Sequence, residues 1–429
     1  MPLDFPIATT TLSNGLRVVV SEDRSVPTVA MNLWVDVGSR HEQPGRTGLA
    51  HLFEHLMFEG SELVGAGEHM AELMAHGGRA NATTSFDRTL YVQTVPSGAV
   101  ELALWLEADR QGHLLAALTQ ENLDVQRDVV VEEKRQRYDT VPFGDALARV
   151  CAGVFPEDHP YHHTTIGSME DLAAASLADV HAFYVANYGP ATTILTLVGD
   201  LGEQDGFALA EKYLGHLEDA TQARPPAGAA LAPLAEAPRI EVRGEVPSQR
   251  LYFGFRLPPA TDPAFLHCGI ALDVVAGLGV SRLQFRLLRG EESVSAVSAS
   301  AIGLVDGASL GLLVLDVSEG VDPDRVEAAV HEELSRLADE GPTEDEVRTS
   351  YAETERSWLE ALAGFDDRAE LISRAAAVHG DPTRINRYLD EVQSVSADQV
   401  REAADTWLRP GAALVLLYRL DATEEGEAR

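Results

Sequence analysis

His51-Leu52-Phe53-Glu54-His55 spells H-x-x-E-H. On a helix, residues four apart share one face. His51 and His55 can therefore offer two imidazole nitrogens to one metal ion, and Glu54 can hang its carboxylate beside that ion. Two neutral nitrogen ligands and a carboxylate able to take a proton from water are the working parts of a zinc hydrolase. The order inverts the H-E-x-x-H zinc motif. Leu49, Leu52, Phe53 and Leu56 supply an apolar stripe at helical spacing, so the helix packs by one face and presents the His/Glu face elsewhere. Pro44-Gly45 and Gly60-Ser61 punctuate its two ends.

A catalytic zinc site takes a third protein ligand and leaves a fourth position open. The helical stretch Val129-Val130-Val131-Glu132-Glu133-Lys134-Arg135-Gln136 is the best source. Adjacent helical residues point about 100° apart, so either Glu132 or Glu133 faces the site, and not both. His159, His162 and His163, around Pro160-Tyr161, read as polar loop residues. His76, beside Gly77-Gly78, reads as a helix-end residue.

The chain has 429 residues, enough for two or more cores. Its formal charge of −35 excludes the basic footprint of a nucleic-acid binder and disfavours anionic membranes, while it attracts basic peptides. Cys151 and Cys268 are far apart and form no C-x-x-C pair, which argues against a disulfide framework or zinc ribbon and fits a reducing, cytoplasmic setting. The opening Met1-Pro2-Leu3-Asp4-Phe5-Pro6 has no basic region and no apolar run, so no signal peptide is expected. No apolar run reaches the roughly 18 residues of a membrane span.

The chain repeats itself. Ser176 and Val180 lead a helix, Pro190 stops it, and the strand Thr193–Val198 follows; Ser396, Val400, Pro410 and the strand Ala413–Tyr418 match them 220 residues on. The same shift lays Val29–Val35 over Gln249–Phe255. It carries His51 onto Ala271 and His55 onto Val275, so the second copy lacks the metal residues. We read 1–218 as a zinc-binding catalytic domain, 219–238 as an Ala/Pro-rich linker and 239–429 as a homologous non-metal domain. The fold class is α+β: two homologous sandwiches, each an antiparallel sheet with helices on one face. In the first half, strands are expected at Ala8–Leu12, Arg17–Ser21 and Val29–Val37, with one polar strand over Arg79–Val95.

The chain resembles the pitrilysin/mitochondrial processing peptidase family of zinc metallopeptidases over nearly its whole length. The resemblance rests on Thr11–Val19, Gly38-Ser39-Arg40, Gly48–Ser61, Asn81–Tyr91, the carboxylate helix and Ile166-Gly167-Ser168. It is closest to the short bacterial two-subunit members. It implies one zinc per chain, held by His51, His55 and Glu133, with Glu54 as the catalytic base. It also implies a substrate strand at Asn81, Ala82 and Thr83, along which an extended peptide adds by main-chain bonds. Many members carry a further Glu seven residues before the third ligand; here that residue is Gln126, which cannot act as a base. Active members also use an Arg and a Tyr seven residues apart to contact substrate. Arg289 fits the first, but Ala296 stands at the second. The resemblance therefore implies a paralogous subunit that supplies an Arg/Tyr pair in a heterodimer, with a homodimer as the alternative assembly. The competing reading is a non-catalytic structural or peptide-binding subunit of the same fold.

Overall fold

The structure is a computed structural model that describes residues 3–221, 228–236, 238–244 and 246–420. The Ala/Pro-rich residues 222–227 of the expected linker lie outside the described residues. Along the chain run strands β1 (Ala8–Thr11), β2 (Arg17–Glu22) and β3 (Thr28–Val35), then helix α1 (Leu49–Leu56). Strands β4 (Arg79–Thr84) and β5 (Thr89–Pro96) precede helices α2 (Val100–Ala117), α3 (Gln120–Lys134), α4 (Ala146–Val154) and α5 (Leu177–Asn187), and β6 (Thr193–Gly199) follows. The remainder holds β7 (Arg239–Gly244), β8 (Arg250–Leu257), helix α6 (Pro263–Leu272), β9 (Val294–Ile302) and β10 (Ser309–Val317). Helices α7 (Phe365–His379) and α8 (Ala397–Trp407) and strand β11 (Ala413–Leu420) complete it.

Two sheets form, ordered β1-β2-β6-β3-β5-β4 and β7-β11-β8-β10-β9. With β7 set against β2, β11 against β6, β8 against β3, β10 against β5 and β9 against β4, the second order repeats the first without β1. Each sheet contains one parallel pair, β2 with β6 and β7 with β11, where strands antiparallel throughout were expected. The reason is the connection: β6 returns after a long helical run, and a helical crossover lets a strand lie parallel to its neighbour. Ser176 and Ser396 cap α5 and α8, each accepting a bond from the backbone N–H three residues on. Ala271 and Val275 are buried, as core residues of the second copy.

The single strand expected over Arg79–Val95 is a hairpin. Ser85 N–H donates to Arg88 O at 2.8 Å and turns the chain back. The turn is pinned from outside: Ser39 and Arg40 N–H groups donate to Ser85 O and Phe86 O, and the Arg40 side chain pairs with Asp87 at 3.1 Å.

The chain forms two compact units, each discontinuous in sequence. The first takes its described residues from 1–134, 163–225 and 356–389, the second from 135–162, 226–355 and 390–429. Helix α7, from the second half of the chain, lies across β3 and β6, where Ala369 and Ile372 pack with Ala30, Trp34, Ile194 and Val198. In the second unit α4, from the first half, lies on β8 and β11. The two helices occupy matching places on matching sheets. In the first unit the alternate strand residue Leu33 faces the other side, toward Leu214 of the helix Glu203–Leu214. That sheet is therefore covered on both faces, where helices on one face were expected.

Candidate metal centre

Helix α1 forms because its apolar stripe has somewhere to go. Leu49, Ala50, Leu52, Phe53 and Leu56 are buried. The Phe53 ring packs against Phe183, Tyr184 and Tyr188, with centroids 5.6, 5.6 and 5.3 Å away. His51, Glu54 and His55 are left on the half-buried face.

The start of α1 is fixed by a residue that spacing did not single out. The Glu42 carboxylate is fully buried and accepts from Gly48 N–H at 2.9 Å and Ala50 N–H at 2.8 Å, two donors that a helix start leaves without partners. The negative charge also suits the positive end of the helix dipole. His163 Nε2 lies 2.9 Å from the same carboxylate, so this loop histidine has a structural partner. Thr47 N–H and Oγ1–H donate to Asp171, at 3.0 and 2.7 Å. Gly48 has φ 92°, a conformation that disfavours any side chain, and a Cβ on Gly167 would stand 2.3 Å from Gly48 N. The Ile166-Gly167-Ser168 loop can therefore close onto the helix start only with glycine at 167.

Helix α3 packs against α1 and brings Glu133 to the two histidines. Glu133 Oε2 is 3.6 Å from His51 Nε2 and 3.3 Å from His55 Nε2. One ligand atom from each of the three lies within 4.8 Å of the others, the one such His/Cys/Asp/Glu group among the described residues. Glu132, on the next face of α3, is exposed. The side chains of His51, His55 and Glu133 keep 12%, 22% and 15% of their surface, sheltered yet open to a ligand. Tetrahedral zinc at about 2.0–2.1 Å from each donor sets ligand atoms roughly 3.3–3.5 Å apart, and two nitrogens with one carboxylate oxygen are a zinc donor set, so the cluster fits that ion.

Glu54 stands on the same helix, and its charge reaches Arg88, Tyr91 and Tyr188. Burial first, with Glu54 adding, pushes the Tyr188 hydroxyl up to about 12, so it stays protonated. Gln126 donates to Glu59 Oε1 at 2.7 Å, a contact between α3 and the chain just past α1. Behind the site lies a polar core that the sequence pattern hid. Glu107 and Arg110 are buried and paired, Arg110 stacks over Phe58 and Tyr91, and Gln93 links Glu107 to His69. Burial, with the Arg110 charge, lowers His69 to about 2 and keeps it neutral.

The expected substrate strand is β4, packed against α1 and, among the described residues, an edge strand paired only with β5. Asn81 and Thr83 are exposed and Ala82 is buried. Since Ser85 N–H points at β5, alternation turns the N–H and C=O groups of Ala82 and Thr84 toward the free edge. Arg289 belongs to the second unit; it donates to Gly279 O at 2.6 Å and lies over Phe285, 4.9 Å from the ring centre. Ala296 is exposed on β9.

Fold and cluster together define a class: a duplicated α+β chain whose first copy gathers two histidines and a glutamate. Comparison with known proteins agrees. Residues 17–151 match the insulinase (peptidase family M16) model, and 174–351 match the peptidase M16 inactive domain. The chain belongs to the M16, or insulinase, family of peptidases, which includes the pitrilysin-like proteins it resembles in sequence. It is 32% identical over 272 residues to the zinc protease PqqE of Helicobacter pylori, an alignment spanning 62% of this chain and 60% of that one, less than two thirds of its length. It is 27% identical over 419 residues to an uncharacterized zinc protease of Mycobacterium leprae, covering 96% of this chain and 92% of the relative. The crystal structure of a protease from Helicobacter pylori shares the fold, with a TM-score of 0.89 at 24% identity over 97% of this chain and 99% of that one.

Proposed function

We propose that this chain is the catalytic subunit of a zinc-dependent endopeptidase acting on extended peptides or unfolded segments. One observation carries the reading: His51, His55 and Glu133 converge within one unit, with Glu54 on the same helix and the open edge of β4 beside it. One zinc ion per chain, held by those three side chains, would polarise a carbonyl group and make water more acidic. Glu54 takes the proton of the attacking water and returns it to the departing amide nitrogen. The free N–H and C=O groups of Ala82 and Thr84 align the peptide in extended form, with Asn81 and Thr83 flanking them, and so read shape more than sequence.

A paralogous subunit supplies an Arg/Tyr pair in this reading. Ala296 cannot donate a hydrogen bond, and one missing oxyanion donor costs roughly 10²–10³ in rate. Arg289 contacts substrate in the assembled enzyme. A non-catalytic peptide-binding subunit is the second reading, favoured by the same Ala296. The two free, buried cysteines, Cys151 and Cys268, suit a reducing compartment such as the cytoplasm. No helix among the described residues is long and apolar enough to cross a membrane.

Cleavage of a quenched extended peptide by the zinc-loaded chain, with and without its paralogue, tests the proposal. Zinc-dependent cleavage that rises with the paralogue supports it. Zinc and peptide binding without cleavage in either state leaves the binding subunit.

A further inference from the structure

Helix α7 does more than cover the back of the first sheet. Asp366 and Glu370, one turn apart on it, both reach the β4–β5 hairpin. Asp366 bonds Arg79 and Thr94, which are cross-strand partners at the open end of the hairpin. Glu370 Oε1 accepts from Arg88 Nη2 at 2.9 Å. The other terminal nitrogen, Nη1, donates to Thr83 Oγ1 at 2.7 Å and to Thr83 O at 3.2 Å. The guanidinium lies 5.2 Å from the centre of the Trp34 ring.

Helix α7 is a firm base for these contacts. Ser373 Oγ lies 3.0 Å from Asn32 Oδ1 and 2.8 Å from Thr196 Oγ1, all in buried side chains. Arg368 is buried and donates to Asp23 at 2.7 Å. Strand β4 has little anchorage of its own. It has one ladder partner, and Ala82 is its one buried residue. An edge that is to receive a peptide binds best when its main-chain groups are already ordered, because ordering them on binding costs affinity.

We infer that Arg88 and Glu370 are a positioning pair that holds β4 ready for an extended peptide. A helix from the second half of the sequence thereby sets how well the first unit takes substrate. This rests on the reading above that the peptide adds to β4. The planar fork of Arg88 serves two partners at once, Glu370 with one nitrogen and Thr83 with the other, a geometry lysine cannot reproduce.

The test uses the full chain, with its paralogue where turnover needs it, and three variants: Glu370→Gln, Arg88→Lys and the Glu370→Gln/Arg88→Lys pair. Amide hydrogen exchange is followed at Asn81 and Thr83, and KM and kcat are measured on a quenched extended peptide. Glu370→Gln is expected to speed exchange in β4 and raise KM about fivefold to tenfold, with kcat and zinc content held and exchange in β3 unchanged. Arg88→Lys, which loses the fork that joins Glu370 to Thr83, is expected to be at least as impaired as Glu370→Gln, and the double variant is no worse than about the larger single effect. Wild-type exchange in β4 together with wild-type KM in Glu370→Gln overturns the inference. A uniform rise in exchange across β3 and β4 also overturns it, since that is general destabilisation. If the zinc-loaded wild type cleaves no peptide, the peptidase reading fails on its own, and the exchange rates still decide whether the pair orders β4.

Discussion

His55 Nε2 and Glu133 Oε2 stand 3.3 Å apart, although they come from helices far apart in the sequence. Helix packing brings them there: Leu52, Phe53 and Leu56 bury one side of α1, and Leu123 and Val130 bury one side of α3. Two imidazole nitrogens and a carboxylate oxygen brought this close match the donor set of a zinc site.

Replacing Glu133 should therefore act on the metal. Glu133→Gln is expected to weaken zinc binding by more than the roughly 10–100-fold typical of losing an outer-shell partner. The exposed Glu132→Gln is the control and should bind zinc as wild type does. Competition titration against a chromophoric chelator measures both, and equal losses would move the ligand assignment off Glu133.

Glu54→Gln should separate binding from chemistry. The amide keeps the shape but cannot accept the proton of water. Zinc content and thermal stability should hold, while kcat falls by about 10²–10⁴. Single-turnover assays on the zinc-loaded variant check this, and turnover near wild type removes Glu54 from the role of base.

Glu42→Ala should loosen the start of α1. It strips partners from the N–H groups of Gly48 and Ala50 and from His163. The expected loss is about 2 kcal/mol, as for a lost helix cap that also leaves buried donors unsatisfied. Urea unfolding measures it, and Glu42→Gln, which keeps one acceptor oxygen, should recover part of it.

Asp273 gives the second unit a pH dependence. Burial pushes its carboxyl up to about 6 from an ordinary 3.8, with Glu353 adding and the Ser350 hydroxyl, 2.7 Å away, opposing. The folded state thus holds the proton more tightly than the unfolded chain. Its stabilising share is full below about pH 4 and is lost as pH rises through about 6. Asp273→Asn should remove that loss and make the protein more stable above pH 6, by on the order of 2 kcal/mol. Melting curves from pH 4 to pH 8 test this; an unchanged pH profile would show that Asp273 is charged at no extra cost.

Sequence carried the local parts well. The i, i+4 histidines, the Ser176 and Ser396 caps and the strands that follow Pro190 and Pro410 come from short-range patterning, and the 220-residue shift made the duplication visible. Four features needed the fold. Spacing could not choose between Glu132 and Glu133, because the choice depends on how α3 rolls against α1. The hairpin at Ser85–Arg88 was hidden because its turn is held by Ser39, Arg40 and Asp87, not by glycine or proline. The exchange of α4 and α7 between matching sheets left no mark in periodicity, since a helix reads the same whichever sheet it covers. Glu42 escaped for a similar reason: a single acidic residue in a loop looks like surface until the helix start closes over it.

Peptidase chemistry in this chain depends first on where a metal binds. An anomalous difference map, recorded at the zinc edge from crystals of the zinc-loaded chain, should show one strong peak per chain at about 2.0–2.2 Å from His51, His55 and Glu133. No peak among those three side chains, or a peak ligated by other residues, would contradict it.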